Sequence, residues 1–345
     1  MKRFIFRFIT LLLALTSLFT MISCDTEEPP AETTASTTDA VTDAPTEAPT
    51  EGETEPVVDA SNDGNVRVLL CSDLHYTYLE TYFGVSADKR MQLFVDSVLL
   101  EHQKKPIDLL IIGGDTSLDH WFNYGSYTKD KISTTLTLRE KYLSQITAAG
   151  IPMYILPGNH EQFNNDQWEQ ITGNKRYGSV AVEGNLFIML DAFSVDLEPN
   201  YDNDPTYAKH DVDYIRKQMA LYPDCKNVYL VSHYFNYKNE SAAFKELILD
   251  KRIKGLFQGH THTNKTIDMG AEYGHKMIAE TGHFSHYTAS KDPEVLKNNF
   301  WGFRDLVITP TSSICNYVIV ETKIIIGGKV FLDLKRTTIN PVRFY

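Results

Sequence analysis

Aspartate, asparagine and histidine recur at the ends of apolar runs in this chain, and always in the same order: the run first, the polar residues after it. Val66-Arg67-Val68-Leu69-Leu70-Cys71 leads into Ser72-Asp73-Leu74-His75, and Leu109-Leu110-Ile111-Ile112 into Gly113-Gly114-Asp115. Met153-Tyr154-Ile155 leads into Leu156-Pro157-Gly158-Asn159-His160-Glu161, an amide, an imidazole and a carboxylate on a tight loop. Residues 227–231 end in Ser232-His233, and residues 255–258 in Gly259-His260-Thr261-His262. Any one of these is unremarkable, since a lone histidine is usually packed or at the surface. Together they suggest a metal site. Asp73 and His75, two apart, are expected on the same side of an extended segment, as are His260 and His262. Mixed carboxylate and imidazole ligands suit manganese, iron or zinc better than magnesium or calcium. Asp73, His75, Asp115, Asn159, His160, His233, His260 and His262 are too many for one tetrahedral ion and suit two ions sharing a carboxylate.

The elements that must position them are legible from periodicity. Residues 88–102 carry Met91, Phe94, Val95, Val98 and Leu99 at helical spacing. A second helix is expected within residues 134–149, closed by Gly150. Strand, helix, strand, helix, strand is the pattern of parallel βαβ units. Ligands then gather beyond the carboxyl ends of the strands. Downstream, residues 179–182 and 186–191 flank Glu183-Gly184-Asn185 as a hairpin, with helices expected over 211–220 and 241–249. Strands over 315–320, 323–326 and 329–334 close the chain, the last two joined at Gly327-Gly328.

The first 65 residues differ in kind. Lys2, Arg3 and Arg7 precede an apolar run over residues 8–21, as in a secretory signal. Met21-Ile22-Ser23-Cys24 resembles a bacterial lipobox, which implies a signal peptide over 1–24 and a lipidated Cys24 at the membrane. Residues 25–65 hold 12 acidic residues and no lysine or arginine, without apolar periodicity, and are expected to be a disordered tether. The formal net charge of -12 therefore sits mostly there, leaving about -3 for residues 66–345, read as one domain. No basic patch points to nucleic acid. Cys71, Cys225 and Cys315 cannot all pair and lack Cys-x-x-Cys spacing, so buried free thiols are expected. The sequence says nothing of oligomeric state.

Ser72-Asp73-Leu74-His75, Gly114-Asp115, Gly158-Asn159-His160-Glu161, His233 and Gly259-His260-Thr261-His262 resemble, in order, the signature of the calcineurin-like metallophosphoesterases. The resemblance implies an α/β fold, a two-sheet αββα sandwich with its site at strand ends. It implies one divalent metal held by Asp73, His75 and His262, and a second by Asn159, His233 and His260, with Asp115 bridging. It implies hydrolysis of a small phosphate ester by a hydroxide shared between the ions, with His160 assisting the leaving oxygen. Glu161 is expected either to orient His160 or to be an idle acid in the first turn of a helix. No tyrosine follows Gly114-Asp115 closely, against an iron-tyrosinate site, and Gln162-Phe163-Asn164 stands where protein phosphatases carry an arginine. The blocks look more like the secreted or cyclic-nucleotide phosphodiesterase-type members. Tyr76, His120, Trp121, Tyr234 and His283 are candidates for cleft walls, with packing the default in a chain holding 19 tyrosines and 18 phenylalanines. The competing reading is a catalytically inactive, metal-containing surface binding protein.

Overall fold

Apolar side chains on both faces of the early strands require cover on both sides, and two sheets with helices outside them provide it. The structure is a computed structural model that describes residues 57–58, 65–77, 86–118, 134–161, 163–194, 206–285, 300–326, 329–333 and 337–345. These lie in one unit, Glu53–Tyr345. The signal-like segment, Cys24, most of the tether stretch, and His120 and Trp121 fall outside the described residues. Within the stretch expected to be tether, Val57–Val58 forms a short strand, β1.

The first sheet is built on β2 (Val66–Cys71), β3 (Leu109–Gly113) and β4 (Met153–Leu156), paired in parallel as the βαβ pattern requires. It continues through β11 (Trp301–Thr309), antiparallel to β2, then β12 (Ser312–Ile326), β13 (Lys329–Asp333) and β14 (Thr337–Phe344). The second sheet runs β1, β5 (Gly178–Val182), β6 (Asn185–Leu190), β7 (Asn227–Ser232), β8 (Ile253–Gln258), β10 (Met277–Glu280) and β9 (Thr266–Asp268). β5 and β6 are the expected hairpin. The two strands expected over 315–320 and 323–326 are one continuous strand, and β11 and β14 carried no clear sequence signal.

Strand alternation splits the core. Val68 and Leu70 of β2 point between the sheets, where they meet Phe187, Tyr229, Phe257 and Phe344. Leu69 and Cys71 point the other way, toward Met91, Phe94 and Val98 of helix α1 (Ala87–Lys104). On the far side, Leu186, Ile188 and Leu230 of the second sheet pack against Ile215, Phe244 and Ile248 from the helices Val212–Leu221 and Ala242–Ile248. Helix, sheet, sheet, helix is the expected sandwich. The second expected helix is real but interrupted: Thr134–Leu138 and Ser144–Ala148 flank a π-helical turn at Arg139–Leu143. Cys71, Cys225 and Cys315 are buried free thiols.

Candidate metal centre

The strand ends singled out by sequence meet, and they come from both sheets. Ends of β2, β3 and β4 deliver Asp73, His75, Asp115, Asn159 and His160; ends of β7 and β8 deliver His233, His260 and His262. The loops hold one another through backbone bonds. Asp73 N donates to Gly114 O at 2.9 Å, His75 N to Asp115 O at 3.0 Å, and Gly259 N to His233 O at 3.0 Å. Carboxylates extend this lattice: Asp73 Oδ2 accepts from His260 N at 3.0 Å, and Asp115 Oδ1 from His160 N at 3.1 Å.

One expectation needs correction. Asp73 and His75, and likewise His260 and His262, do not share a side of an extended segment. Asp73 (φ 53°), His75 (φ 46°), Asp115 (φ 51°), His260 (φ 69°) and His262 (φ 54°) are all left-handed. Such a conformation costs on the order of 1–3 kcal/mol at each non-glycine residue and persists only where the surroundings over-determine it. The side chains converge because the backbone turns sharply at each strand end, not because a strand alternates.

Asp115 is the hub. Its Oδ2 lies 3.2 Å from His233 Nε2, 3.3 Å from His75 Nε2 and 3.6 Å from His160 Nε2. Asp73 Oδ1 lies 3.2 Å from His262 Nε2 and 3.8 Å from His75 Nε2. Asn159 Oδ1 is 3.0 Å from His233 Nε2 and 2.9 Å from His260 Nδ1. Asp73, His75 and His262 thus form one group of potential ligands and Asp115, His233 and His260 another, each with its ligand atoms within 4.8 Å of one another; His75, Asp115 and His160 form a third. The first group has the same members as one set the resemblance implies, and the second shares His233 and His260 with the other. His233 Nδ1 donates to Gly113 O at 2.8 Å, which leaves Nε2 to face the centre.

Converging carboxylate, amide and imidazole lone pairs fit divalent cations of the manganese, iron and zinc type. The electrostatics agree. Burial disfavours charge on Asp73 and Asp115, yet the surrounding imidazoles hold both carboxyls below their usual range. Burial opposes charge on His233 too, but the Asp115 carboxylate beside it carries its pKa up to about 10. His75, for which burial prevails, is pushed down to about 3. A buried pair of ionised carboxylates attracts whatever positive charge can reach it.

Of the two expectations for Glu161, the first-turn acid fails. The following helix begins at Asn165, with Asn164 as its N-cap, so Glu161 is not a first-turn acid. Its carboxylate bridges two loops. Oε2 accepts from Asp115 N at 2.9 Å and Gly158 N at 2.7 Å; Oε1 accepts from Thr116 Oγ1 and Ser117 N, both at 2.9 Å. Burial and the nearby Asp115 carboxylate push its pKa up to about 8, against those donors. Glu161 therefore ties the loop bearing Asp115 to the loop bearing Asn159 and His160. Gly158 completes the fit, because a Cβ there would collide with the Asp115 carboxylate.

Sequence reasoning missed three buried arginines. Arg90 of α1 donates from Nη1 to Leu74 O at 2.7 Å and Phe284 O at 2.5 Å, and from Nη2 to His75 O at 3.0 Å. Arg176 donates to Glu161 O at 3.2 Å and Phe163 O at 2.7 Å while pairing with Asp191 at 2.6 Å. Arg304 of β11 donates to Glu280 O at 2.9 Å, Asn264 O at 2.5 Å and Lys265 O at 3.0 Å. Each guanidinium grips main-chain carbonyls in or beside a different loop of the centre. One signal was available for Arg90: it stands four residues before Phe94, on the apolar side of its helix. Arg304 and Arg176 had none, because their targets are distant in sequence.

Of the candidate cleft walls, Tyr76 is packed: it is buried, its hydroxyl donates to Asp88 Oδ1 at 3.1 Å, and its ring meets Tyr142. His283 is buried and stacked on His262, with centroids 5.6 Å apart. Tyr234 is half-buried beside His260, 4.9 Å between centroids.

No curated protein matches the sequence. Among solved structures, a dimetal phosphatase from Danio rerio is similar, with 10% sequence identity, coverage of 73% of this chain and 95% of that one, and a TM-score of 0.50. GAP50, the anchor in the inner membrane complex of Plasmodium, has 11% identity, coverage of 80% and 89%, and a TM-score of 0.46. At such identity the first likeness speaks for the fold alone. The sequence profile of the calcineurin-like phosphoesterases matches residues 66–264, more than half the chain and all nine residues picked out by sequence. With that match, the two-sheet sandwich and the clustered carboxylates and imidazoles, the chain belongs to the calcineurin-like phosphoesterase family, metal-dependent hydrolases of phosphate esters.

Proposed function

We propose that the protein hydrolyses a small phosphate mono- or diester at the Asp115-centred cluster, outside the cytoplasm, as a lipoprotein tethered through Cys24. The observation that carries the reaction is the gathering of three imidazole nitrogens within 3.6 Å of Asp115 Oδ2, with Asn159 and the Asp73 group adjacent. Asp73, His75 and His262 would hold one divalent cation and Asn159, His233 and His260 the other, with Asp115 shared. Cations so held supply Lewis acidity to phosphoryl oxygens and lower the pKa of water.

The chain's own residues do the rest. His233 is held in one tautomer by Gly113 O, and Asp115 is oriented by the His160 amide. His160, whose Nε2 stands 3.6 Å from Asp115 Oδ2, stabilises the charge on the leaving oxygen or protonates it, the latter the role of a general acid. Glu161 acts through the loops it joins, not on the ester. The extracellular, anchored location rests on the signal-like segment and lipobox of the sequence.

Hydrolysis of a chromogenic phosphodiester and a phosphomonoester by the purified full chain loaded with manganese tests the reaction. Turnover of at least one is expected. Full metal occupancy with no turnover of either would instead favour a metal-containing surface binder.

A further inference from the structure

Beside His233 and His260 stand three aromatic rings that the reaction above leaves unused. Phe193 follows β6, its ring 6.0 Å from His233 and 6.2 Å from His260. Tyr234 lies 4.9 Å from His260; Tyr207 lies 5.6 Å from Tyr234 and 6.4 Å from Phe193. Phe193 is buried, whereas Tyr207 and Tyr234 each keep part of their surface open.

Tyr207 is held with unusual firmness. Its hydroxyl donates to Glu240 Oε1, accepts from Asn236 N at 3.1 Å and lies 3.1 Å from His210 Nδ1. His210 in turn lies 2.7 Å from Glu240 Oε1 through Nδ1 and 2.9 Å from Ser232 Oγ through Nε2. His210, Glu240 and Ser232 are all buried, and Glu240 Oε2 has no hydrogen-bond partner among the described residues. Burying an imidazole–carboxylate pair is costly in desolvation and is weak support for stability alone. This pair adds no ligand to the metal centre. What it fixes is Tyr207, which backs Tyr234. Tyr234 is half-buried with its ring beside His260, so part of that ring is open to a ligand next to the centre.

We infer that Phe193, Tyr207 and Tyr234 form a rigid subsite for a planar aromatic group of the ester, next to the His233–His260 side of the centre. The inference rests on the phosphoesterase reading and narrows its substrate class. An aromatic ring gains from edge and offset contacts with such a wall. A wall fixed beforehand spares the ordering cost of binding. The ring reaches it either directly on the ester oxygen, as in an aryl ester, or at the end of a sugar, as in a nucleotide.

Two matched substrate pairs separate these sources. Phenyl phosphate and hexafluoroisopropyl phosphate have leaving alcohols of similar acidity but differ in the ring. Adenosine 5′-phosphate and ribose 5-phosphate share a leaving oxygen and differ in the base. With manganese at equal occupancy, kcat/KM should favour the ring-bearing member of at least one pair by about 5- to 10-fold. Tyr234→Ala should erase that preference and Tyr234→Phe should keep it; which pair responds identifies the source of the ring. Equal rates within both pairs, or a preference that survives Tyr234→Ala, overturns the subsite while leaving hydrolysis intact. The methyl diesters of the same four compounds are assayed beside them and read in the same pairs; hydrolysis of none of the monoesters and none of the diesters overturns the phosphoesterase reading, and the subsite with it.

Discussion

His160 and Asp115 share a neighbourhood but should fail differently when removed. Asp115 Oδ2 is the atom around which three imidazoles gather, so Asp115→Ala should lose bound metal as well as activity, measured by elemental analysis beside turnover. His160→Ala should lower kcat by about 10²–10⁴-fold, the usual contribution of a general acid, with metal content nearly intact. If His160→Ala strips metal to the same degree, the separation of ligand from proton donor is wrong. Glu161→Gln addresses support, not chemistry. Above the raised pKa of about 8, where Glu161 is ionised, the change keeps the shape but turns one acceptor oxygen into a donor facing either Asp115 N and Gly158 N or Thr116 Oγ1 and Ser117 N. Leaving such buried donors unsatisfied costs about 1–3 kcal/mol, visible as a lower denaturation midpoint with unchanged m-value.

Strands deliver the ligands, and the turns beyond them aim the side chains. Five candidate ligands sit at positive φ, and main-chain carbonyls in two of the segments involved are gripped by Arg90 and Arg304. A planar guanidinium serves two or three carbonyls at once; an ammonium does not reproduce that fork. Arg90→Lys and Arg304→Lys should therefore weaken manganese affinity by about 10–100-fold, the range for outer-shell partners, read by competition with a fluorescent chelator. A fall in thermal stability with unchanged affinity would make the arginines mere packing. At this scale the sequence was readable where periodicity was clean, as in α1 and the β5–β6 hairpin. It was not readable at β11 or β14. β11 holds Gly302, Arg304 and Asp305, and β14 holds Pro341, residues that weaken a strand signal and are tolerated here through pairing with β2 and β12.

The molecule gathers ionised carboxylates from one sheet against imidazoles from both at one edge of the sandwich. Without cations, the buried Asp73 and Asp115 charges oppose each other. Chelation should lower Tm, and returning manganese should restore it, because a ligand that binds only the folded state stabilises it. At the other end of the chain, Val57–Val58 pairs in parallel with Ala181–Val182 at the edge of the second sheet. Removal of the acidic stretch is therefore best ended before Val57. Deleting residues 25–56 together with Cys24→Ser should move the protein from membrane to soluble fraction without changing kcat/KM; a fall in kcat/KM would mean the segment contributes to the site.

By itself the sequence determined which residue types cluster, in what order, and that they follow strands. Asp73, His75, Asp115, Asn159, His160, His233, His260 and His262 were all legible, because a ligand's identity and its place after an apolar run are local properties. Only the tertiary structure decided how they are aimed. The left-handed turns, the Glu161 bridge between loops, the arginine grips and the Tyr207–Tyr234 wall each depend on contacts between segments far apart in the chain. A carboxylate that joins Asp115 to Gly158, or a guanidinium that spans Glu280 and Asn264, satisfies partners that no local pattern names. Chemistry was written in composition and spacing; its geometry came from hydrogen bonds that form only when both sheets are in place.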